Sequence, residues 1–317
     1  MATPRLAIQM DPIESVDIDA DTTFDLALEA FSRGWEVWVY APDDLSLDSG
    51  RVLARARKVS SLQREQGNHV ELGDPQRLNL HGMSAVLIRQ DPPFDIGYIT
   101  SVQTLERLQP SVLVLNDPAG IRNAPEKLSV MRFPDLTPPT LITRDLSAVD
   151  DFRKEHRDLI LKPLYGNGGA GVVKVTHDDG NFSSLCEMFL EFYREPFIAQ
   201  AFLPEVSAGD KRIILLDGEA VGAINRVPAE GETRSNMHAG GTATPIEMSA
   251  RDQEICDRIG PWLSSEGLVF AGIDVIGSYL TEINVTSPTG IQEVRKFGGA
   301  NISALFWDWV DGRLAEQ

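Results

Sequence analysis

Three short apolar runs near the N-terminus end in the same way. RLAIQM stops at Asp11-Pro12, AVLI runs into Arg89-Gln90-Asp91-Pro92-Pro93, and VLVL stops at Asn116-Asp117-Pro118. Each run is β-rich and apolar throughout, the pattern of a parallel strand buried on both faces. Proline has no N–H for the ladder, so it closes each strand. A helix over Thr22 to Arg33, stopped by Gly34, and a strand over Glu36 to Tyr40 lie between the first two runs. These elements predict an open α/β lobe, and ligands of such sheets bind beyond the carboxyl ends of the strands. The polar Asp-Pro clusters fall at those ends. Taken singly, each could be no more than a good turn.

Charge narrows the partners. The chain of 317 residues carries 29 Lys and Arg against 47 Asp and Glu, a net charge of −18. Such a surface repels nucleic acid and anionic membranes. Any phosphate site must then be a local basic cluster inside an acidic shell. No apolar run is long enough to span a bilayer. The start, MATPRLAIQMDP, lacks the regions of a signal peptide. Cys186 and Cys256 form no CxxC pair, and the five histidines have no zinc spacing, so a reduced, cytoplasmic protein is expected.

A second region begins near Asn123. It holds the helix-like EKLSVMRF, then LTPPTLIT, a helix at Leu146–Glu155, the stretch LILKPLYGNGGAGVVKV, a helix at Phe182–Phe192 and the strand FIAQAFL. The third region opens with GDKRIILLDGEAVGAINRV, which alternates as a hairpin around Asp217-Gly218. The polar, glycine-rich PAEGETRSNMHAGGTATP follows, a long surface loop of the kind that carries function. A helix (Ser249–Glu266), a hairpin (Val269–Val285) and a C-terminal helix (about Ser303–Leu314) complete the chain. The expected lobes are residues 1–122, 123–203 and 204–317, with a flap at 227–242. The fold class is α/β, becoming α+β in the C-terminal half.

Two stretches carry chemistry. Gly166, Gly168 and Gly171 form G-x-G-x-x-G, the string of a dinucleotide site. That site needs a helix after the glycines. Here Val172-Val173-Lys174-Val175 is β-branched and ends at a turn, so strand–loop–strand is expected. A glycine flap can fold its N–H groups over phosphates, or it can be a plain hairpin. Lys162, four residues before Gly166 at a strand end, favours phosphate.

The second stretch is VFAGIDVIGSYLTEINVTSP. Glu282 and Asn284 are two apart on a strand and share a face, giving hard oxygen ligands suited to Mg²⁺. Whether Asp274 joins them depends on register. A two-residue loop, Gly277-Ser278, would set Asp274 opposite Thr281. A three-residue loop, Gly277 to Tyr279, would set it opposite Glu282, and that loop is the expectation. Ile273, Val275 and Ile283 on the other face argue for a packed strand.

Taken together, these pieces resemble the ATP-grasp ligases and, more closely, the bacterial glutathione synthetase family. The matching stretches are MDPI, RQDPPFD, NDP, EKL, LTPPTLIT, ILKP-x-x-GxGGAGV, FLPE-x-x-x-GDKR, GEAVGAINRVP-x-x-GETRSN, GIDVIG and LTEINVTSPTGIQE. They span nearly the whole chain. The resemblance implies an ATP-grasp fold with an N-terminal substrate lobe, a lid and a C-terminal lobe, and ATP between the last two. It implies that Lys127 and Lys162 hold phosphates under Gly166, Gly168, Gly169 and Gly171. It places Gln200, Phe202 and Leu203 along the adenine and Asp210 on a ribose hydroxyl. Asp274, Glu282 and Asn284 would hold Mg²⁺, with Mn²⁺ as a substitute. Arg89, Asn284, Ser287 and Thr289 would contact the peptide substrate, and Arg212, Arg226 and Arg234 the reacting centre. The family's flap ends in Gly-Gly-Arg, whereas this chain reads Gly240-Gly241-Thr242. Either Arg234 stands in for that arginine or turnover is slower.

The implied reaction joins γ-glutamylcysteine to glycine at the expense of ATP, through an acyl phosphate, in a homotetramer. Another ATP-grasp ligase, acting on D-alanine or on a protein glutamate, would share the lid chemistry, but RQDPPFD favours the first reading. A nicotinamide oxidoreductase is opposed by the β-branched run after Gly171. A non-catalytic nucleotide sensor would have little use for Arg226, Arg234 and the long flap.

Overall fold

The computed structural model describes residues 3–232, 234–237 and 240–316. The flap expected at 227–242 therefore includes three residues, Thr233, His238 and Ala239, that lie outside the described residues.

The first lobe carries β1 (Arg5–Gln9), α1 (Thr22–Ser32), β2 (Glu36–Tyr40), β3 (Leu45–Asp48), β4 (Arg51–Leu62), β5 (Val70–Leu72), β6 (Gln76–Asn79), β7 (Ala85–Ile88), α2 (Ile96–Glu106), β8 (Leu113–Leu115) and α3 (Pro118–Asn123). The three Pro-terminated runs are β1, β7 and β8. With β2 they form the parallel order β2-β1-β7-β8. Asp21 starts α1 by accepting from Phe24 N, and Gly34, at φ +83, ends the turn that follows it. The segment between β2 and β7, for which the sequence offered no elements, is an antiparallel annex. β4 anchors it, pairing with β2, β3, β5 and β6.

The second unit is α4 (Glu126–Ser129), β9 (Thr140–Thr143), α5 (Leu146–His156), β10 (Leu159–Pro163), β11 (Val173–Val175), α6 (Phe182–Phe192) and β12 (Phe197–Ala201). Its sheet, β11-β10-β12-β9, is antiparallel. The glycine string thus joins two antiparallel strands, as the β-branched run required. The third unit is β13 (Asp210–Leu216), β14 (Glu219–Val227), β15 (Thr242–Pro245), α7 (Ala250–Ser265), β16 (Phe270–Ile276), β17 (Tyr279–Asn284), α8 (Ile291–Lys296) and α9 (Ile302–Ala315), with sheet order β15-β14-β13-β16-β17. Asp217 and Gly218 both have positive φ in the β13–β14 turn. That is the type I′ geometry the Asp-Gly pair predicts.

Packing divides the chain differently from sequence order. Val86, Ile88 and Val114 of the first lobe share one core with Ile213, Ala271 and Ile273 of the third. The second unit has a core of its own, built from Leu159, Leu161, Val175, Phe182, Phe189 and Phe197. Asn116 stitches the shared seam. Its amide donates to the carbonyls of Phe270 and Val285, and its oxygen accepts from Phe270 N. The clefts lie where the separately cored unit faces the other two.

The expected three-residue loop is corrected here. β16 and β17 run to Ile276 and Tyr279, leaving the two-residue turn Gly277-Ser278. Asp274 nevertheless pairs with Glu282, because the register shifts between Asp274 and Val275 and leaves Thr281 unpaired. The Thr281 hydroxyl donates to Asp274 O at the bulge. A bulge adds one residue to one strand and so reverses the face of everything beyond it.

Candidate active site

Two adjoining cavities lie between the second unit and the C-terminal sheet. The larger, about 360 Å³, runs from Asp91 and Pro92 past Lys127 and Lys162 to Ser287–Thr289, under the glycine loop. The smaller, about 90 Å³, is edged by Gln200, Phe202, Leu203 and Asp210. Both are lined by Lys162, Val172, Asn236 and Glu282, so they form one continuous cleft.

Glu282 is the centre of charge. Its Oε1 lies 3.6 Å from Lys127 Nζ and 3.7 Å from Lys162 Nζ. β10 presents Lys162 from the sheet, and the short α4 presents Lys127, whose ammonium also donates to Gly166 O. Burial depresses Lys162 below its ordinary range. It works against Lys127 as well, but Glu282 and Glu126 reverse the direction and hold that ammonium above its range. Glu126, which the sequence marked only as part of EKL, lines the larger cavity and accepts from the Thr286 hydroxyl. Burial raises its carboxyl.

Asp274 and Asn284 share the Glu282 face. Arg212 grips Asp274 with two parallel bonds, Nε to Oδ1 at 2.5 Å and Nη2 to Oδ2 at 2.9 Å. Arg226 adds a contact at 3.0 Å. Burial opposes ionisation of Asp274, but the two guanidinium groups together hold its carboxyl far below the usual range. Asn284 Nδ2 donates to Gly272 O, which leaves the amide oxygen for a ligand. Glu282 and Asn284 thus offer the hard oxygen donors a Mg²⁺ site needs. Among the described residues no group of three His, Cys, Asp or Glu side chains could hold a metal alone. A cation here would draw its other ligands from phosphate and water, and from Asp274 only if an arginine releases it.

The glycine loop is shaped by its neighbours. Gly168, Gly169 and Gly171 all have positive φ, and a Cβ on Gly166 would fall 2.5 Å from Pro163 Cγ. On the cleft side the loop meets the flap. A Cβ on Gly169 would lie 2.9 Å from Asn236 Oδ1 and 3.2 Å from Arg234 Cδ. Arg234 lines the smaller cavity and pairs with Glu232 at 2.6 Å.

Other expected site residues are less direct. Gln200 Nε2 donates to Thr140, and Lys174 stands 3.7 Å over the Phe202 ring. Ser287 Oγ donates to Arg89 O, while Thr289 O accepts from Arg212. Arg89 lies behind the wall of the larger cavity, bonded to Thr23 Oγ1 and Pro288 O. Thr242, which the sequence gave no role, starts β15 opposite Val227 and lines neither cavity.

A glycine flap over a lysine pair, facing a carboxylate and amide on a paired strand, is an arrangement suited to phosphates and a hard cation. Comparisons with known proteins carry this further. Residues 5–122 match the model of the prokaryotic glutathione synthetase N-terminal domain, and residues 126–299 that family's ATP-grasp domain. A glutathione synthetase of Agrobacterium fabrum is 56% identical over 313 residues, covering 99% of this chain and 98% of its own. One from Vibrio vulnificus is 42% identical over 315 residues, covering 99% of both. In solved structures, the D-cycloserine synthetase DcsG superposes with a TM-score of 0.71 at 15% identity, over 98% of this chain and 99% of its own. The ATP-grasp ligase PsnB gives 0.63 at 20% identity, with both chains covered in full. These last two speak to fold alone. The chain belongs to the prokaryotic glutathione synthetase family, and it is an ATP-dependent ligase that makes glutathione.

Proposed function

We propose that the cleft activates the cysteinyl carboxylate of γ-glutamylcysteine as an acyl phosphate and delivers it to glycine. The observation that carries this reading is Glu282 held between Lys127 and Lys162, beneath the glycine loop and beside Asn284. Nucleotide phosphates would replace Glu282 as the partner of the two lysines. The adenine would lie along Gln200, Phe202 and Leu203, with a ribose hydroxyl on Asp210. Glu282 and Asn284 would hold Mg²⁺, or Mn²⁺ in its place, joined by Asp274 once an arginine releases it. When bound, the cation neutralises charge on the phosphates and orients them.

The rest is positioning. A carboxylate does not react with an amine at a useful rate. Transfer of the γ-phosphoryl group to it creates an acyl phosphate, a mixed anhydride that glycine's amine can attack, expelling phosphate. Such transfer needs alignment and charge neutralisation more than covalent help. Lys127, Lys162, Arg212 and Arg226 supply the charge, and Arg234 approaches from the flap. Ser287 and Thr289 line the larger cavity where the peptide substrate would lie, and Arg89 backs that wall. The reading keeps the three lobes at 1–122, 123–203 and 204–317 and a homotetramer. A reducing, cytoplasmic setting is supported by two buried, unpaired cysteines.

Phosphate release tests the reading. Release should require γ-glutamylcysteine and glycine together, and Glu282→Gln should shift the Mg²⁺ titration to higher concentration. An unchanged Mg²⁺ titration in that variant would remove Glu282 from the metal site.

A further inference from the structure

The hydroxyl of Ser235 carries the flap to the nucleotide side of the cleft, which Arg234 and Asn236 also line. Ser235 is only 4% exposed, although Gly231 and Gly240 of the same loop are exposed. Its Oγ donates to Asp210 Oδ2 at 2.7 Å. The same oxygen accepts from Arg226 Nη2 at 2.6 Å, and Arg226 sits one residue before the loop leaves β14. Beyond Ser235, Gly241 N donates to Asn236 O, and a Cβ on Gly241 would fall 2.0 Å from Ser235 O. The backbone of Ser235 is therefore packed, not loosely placed.

The other oxygen of Asp210 is different. Oδ1 is buried and has no partner. An unpaired buried carboxylate oxygen is costly, and it raises the value of any donor that reaches it. Burial pushes the Asp210 carboxyl up to about 6, so a donor at Oδ1 would also strengthen its charged, accepting form. Asp210 lines the smaller cavity beside Gln200 and Phe202.

We propose that Asp210 holds a nucleotide hydroxyl on Oδ1 and the flap on Oδ2, so that Ser235 couples seating of the flap to nucleotide occupancy. Ser235 is a positioning residue: it acts through Asp210 and its neighbours Asn236 and Arg234, which rest on the glycine loop at Gly169. The proposal rests on the placement of the nucleotide given above.

Trypsin cleavage after Arg234 reads the flap directly. The full-length enzyme is digested with and without Mg²⁺ and a non-hydrolysable ATP analogue, and the Arg234–Ser235 cut is followed by mass spectrometry. In the unmodified enzyme the analogue should slow this cut about tenfold, the scale of one hydrogen bond to a charged group. In Ser235→Ala the slowing should fall below about twofold, and Ser235→Thr, which keeps the hydroxyl, should restore it. Coupling is reciprocal, so Ser235→Ala should weaken analogue binding by no more than about the same tenfold. A poorly seated flap should also admit water. Water would then take the acyl phosphate, returning the free carboxylate and phosphate, and phosphate released per glutathione would rise above one.

Full protection of the cut in Ser235→Ala would overturn the coupling and leave the nucleotide placement intact. If 2′-deoxy and 3′-deoxy analogues bind the unmodified enzyme as tightly as the parent and protect equally, the placement itself fails, and the coupling with it.

Discussion

The glycine loop and the flap meet at Gly169, and a pair of alanine substitutions separates that contact from backbone strain. Gly168 has φ +61 and Gly169 φ +80, so an alanine at either position enters the left-handed region. Each should cost roughly 1–2 kcal/mol whenever the loop holds this shape. The surroundings differ. A Cβ on Gly168 meets nothing within 4 Å, whereas one on Gly169 would press on Asn236 Oδ1 at 2.9 Å and Arg234 Cδ at 3.2 Å. Both are side-chain atoms and can yield, at the cost of leaving a preferred rotamer, about 0.5–1.5 kcal/mol. The difference between the two variants should therefore be roughly two- to tenfold in kcat/KM. The assay is glutathione formation against γ-glutamylcysteine at saturating ATP and glycine. Both variants should be slower than the unmodified enzyme, and Gly169→Ala slower than Gly168→Ala by that factor. Equal rates, or the reverse order, would refute the view that flap and glycine loop pack together in turnover.

Three other measurements bear on separate parts of the molecule. Lys162→Ala removes a buried ammonium 3.7 Å from Glu282. It should lower turnover by roughly 10²–10³, the usual loss for one transition-state charge contact, while circular dichroism stays that of the folded enzyme. The Glu36 carboxyl is held down to about 2 by bonds from Lys58, Trp38 and Arg5, so its contribution is present above the usual carboxylate range and fades as pH falls from about 4.5 towards 2. Because that network is open to solvent, Glu36→Gln should lower Tm by no more than about 3 °C at pH 7. The gap should narrow at pH 4; a gap that widens on acidification would contradict the sign. Burial pushes the Cys186 thiol up to about 11 and the Cys256 thiol up to about 12, so a disulfide reagent at pH 8 should find no fast thiol in the native enzyme and two after denaturation.

The parts of the fold that were legible in sequence are those where one local rule decides. Proline stops marked β1, β7 and β8, Asp217-Gly218 fixed its turn, and the β-branched run after Gly171 demanded a second strand. The β4 annex was not legible. Its buried positions include Val52, Ala54 and Ala56, small residues set among Arg51, Arg55, Arg57 and Lys58, and no apolar run announces them. β4 pairs with four different strands, and such pairing is set by tertiary contact, not by a local signal. Helix α2 was missed for a related reason: only Tyr98, Val102 and Leu105 of its residues are buried, a thin stripe with exposed Ile96 at its start.

The site shows the same division more sharply. Residue types were readable, because phosphate and a hard cation ask for lysine, carboxylate and amide oxygen. Partners were not, because they depend on register. Asp274 reaches the Glu282 face only through the bulge at Thr281, which no turn rule supplies. Once there it meets Arg212 from β13 directly opposite, and Arg226 from β14. Burying that carboxylate unpaired would cost several kcal/mol, so the two arginines are what make its position tenable. The same logic gives Glu282 its two lysines. The ligand-free cleft is thus a set of mutually neutralising charges, Lys127, Lys162, Arg212 and Arg226 against Glu126, Asp210, Asp274 and Glu282. A triphosphate entering with a cation would bring both signs at once. It would then exchange partners with lysine and carboxylate together, and at no stage would a buried charge stand alone.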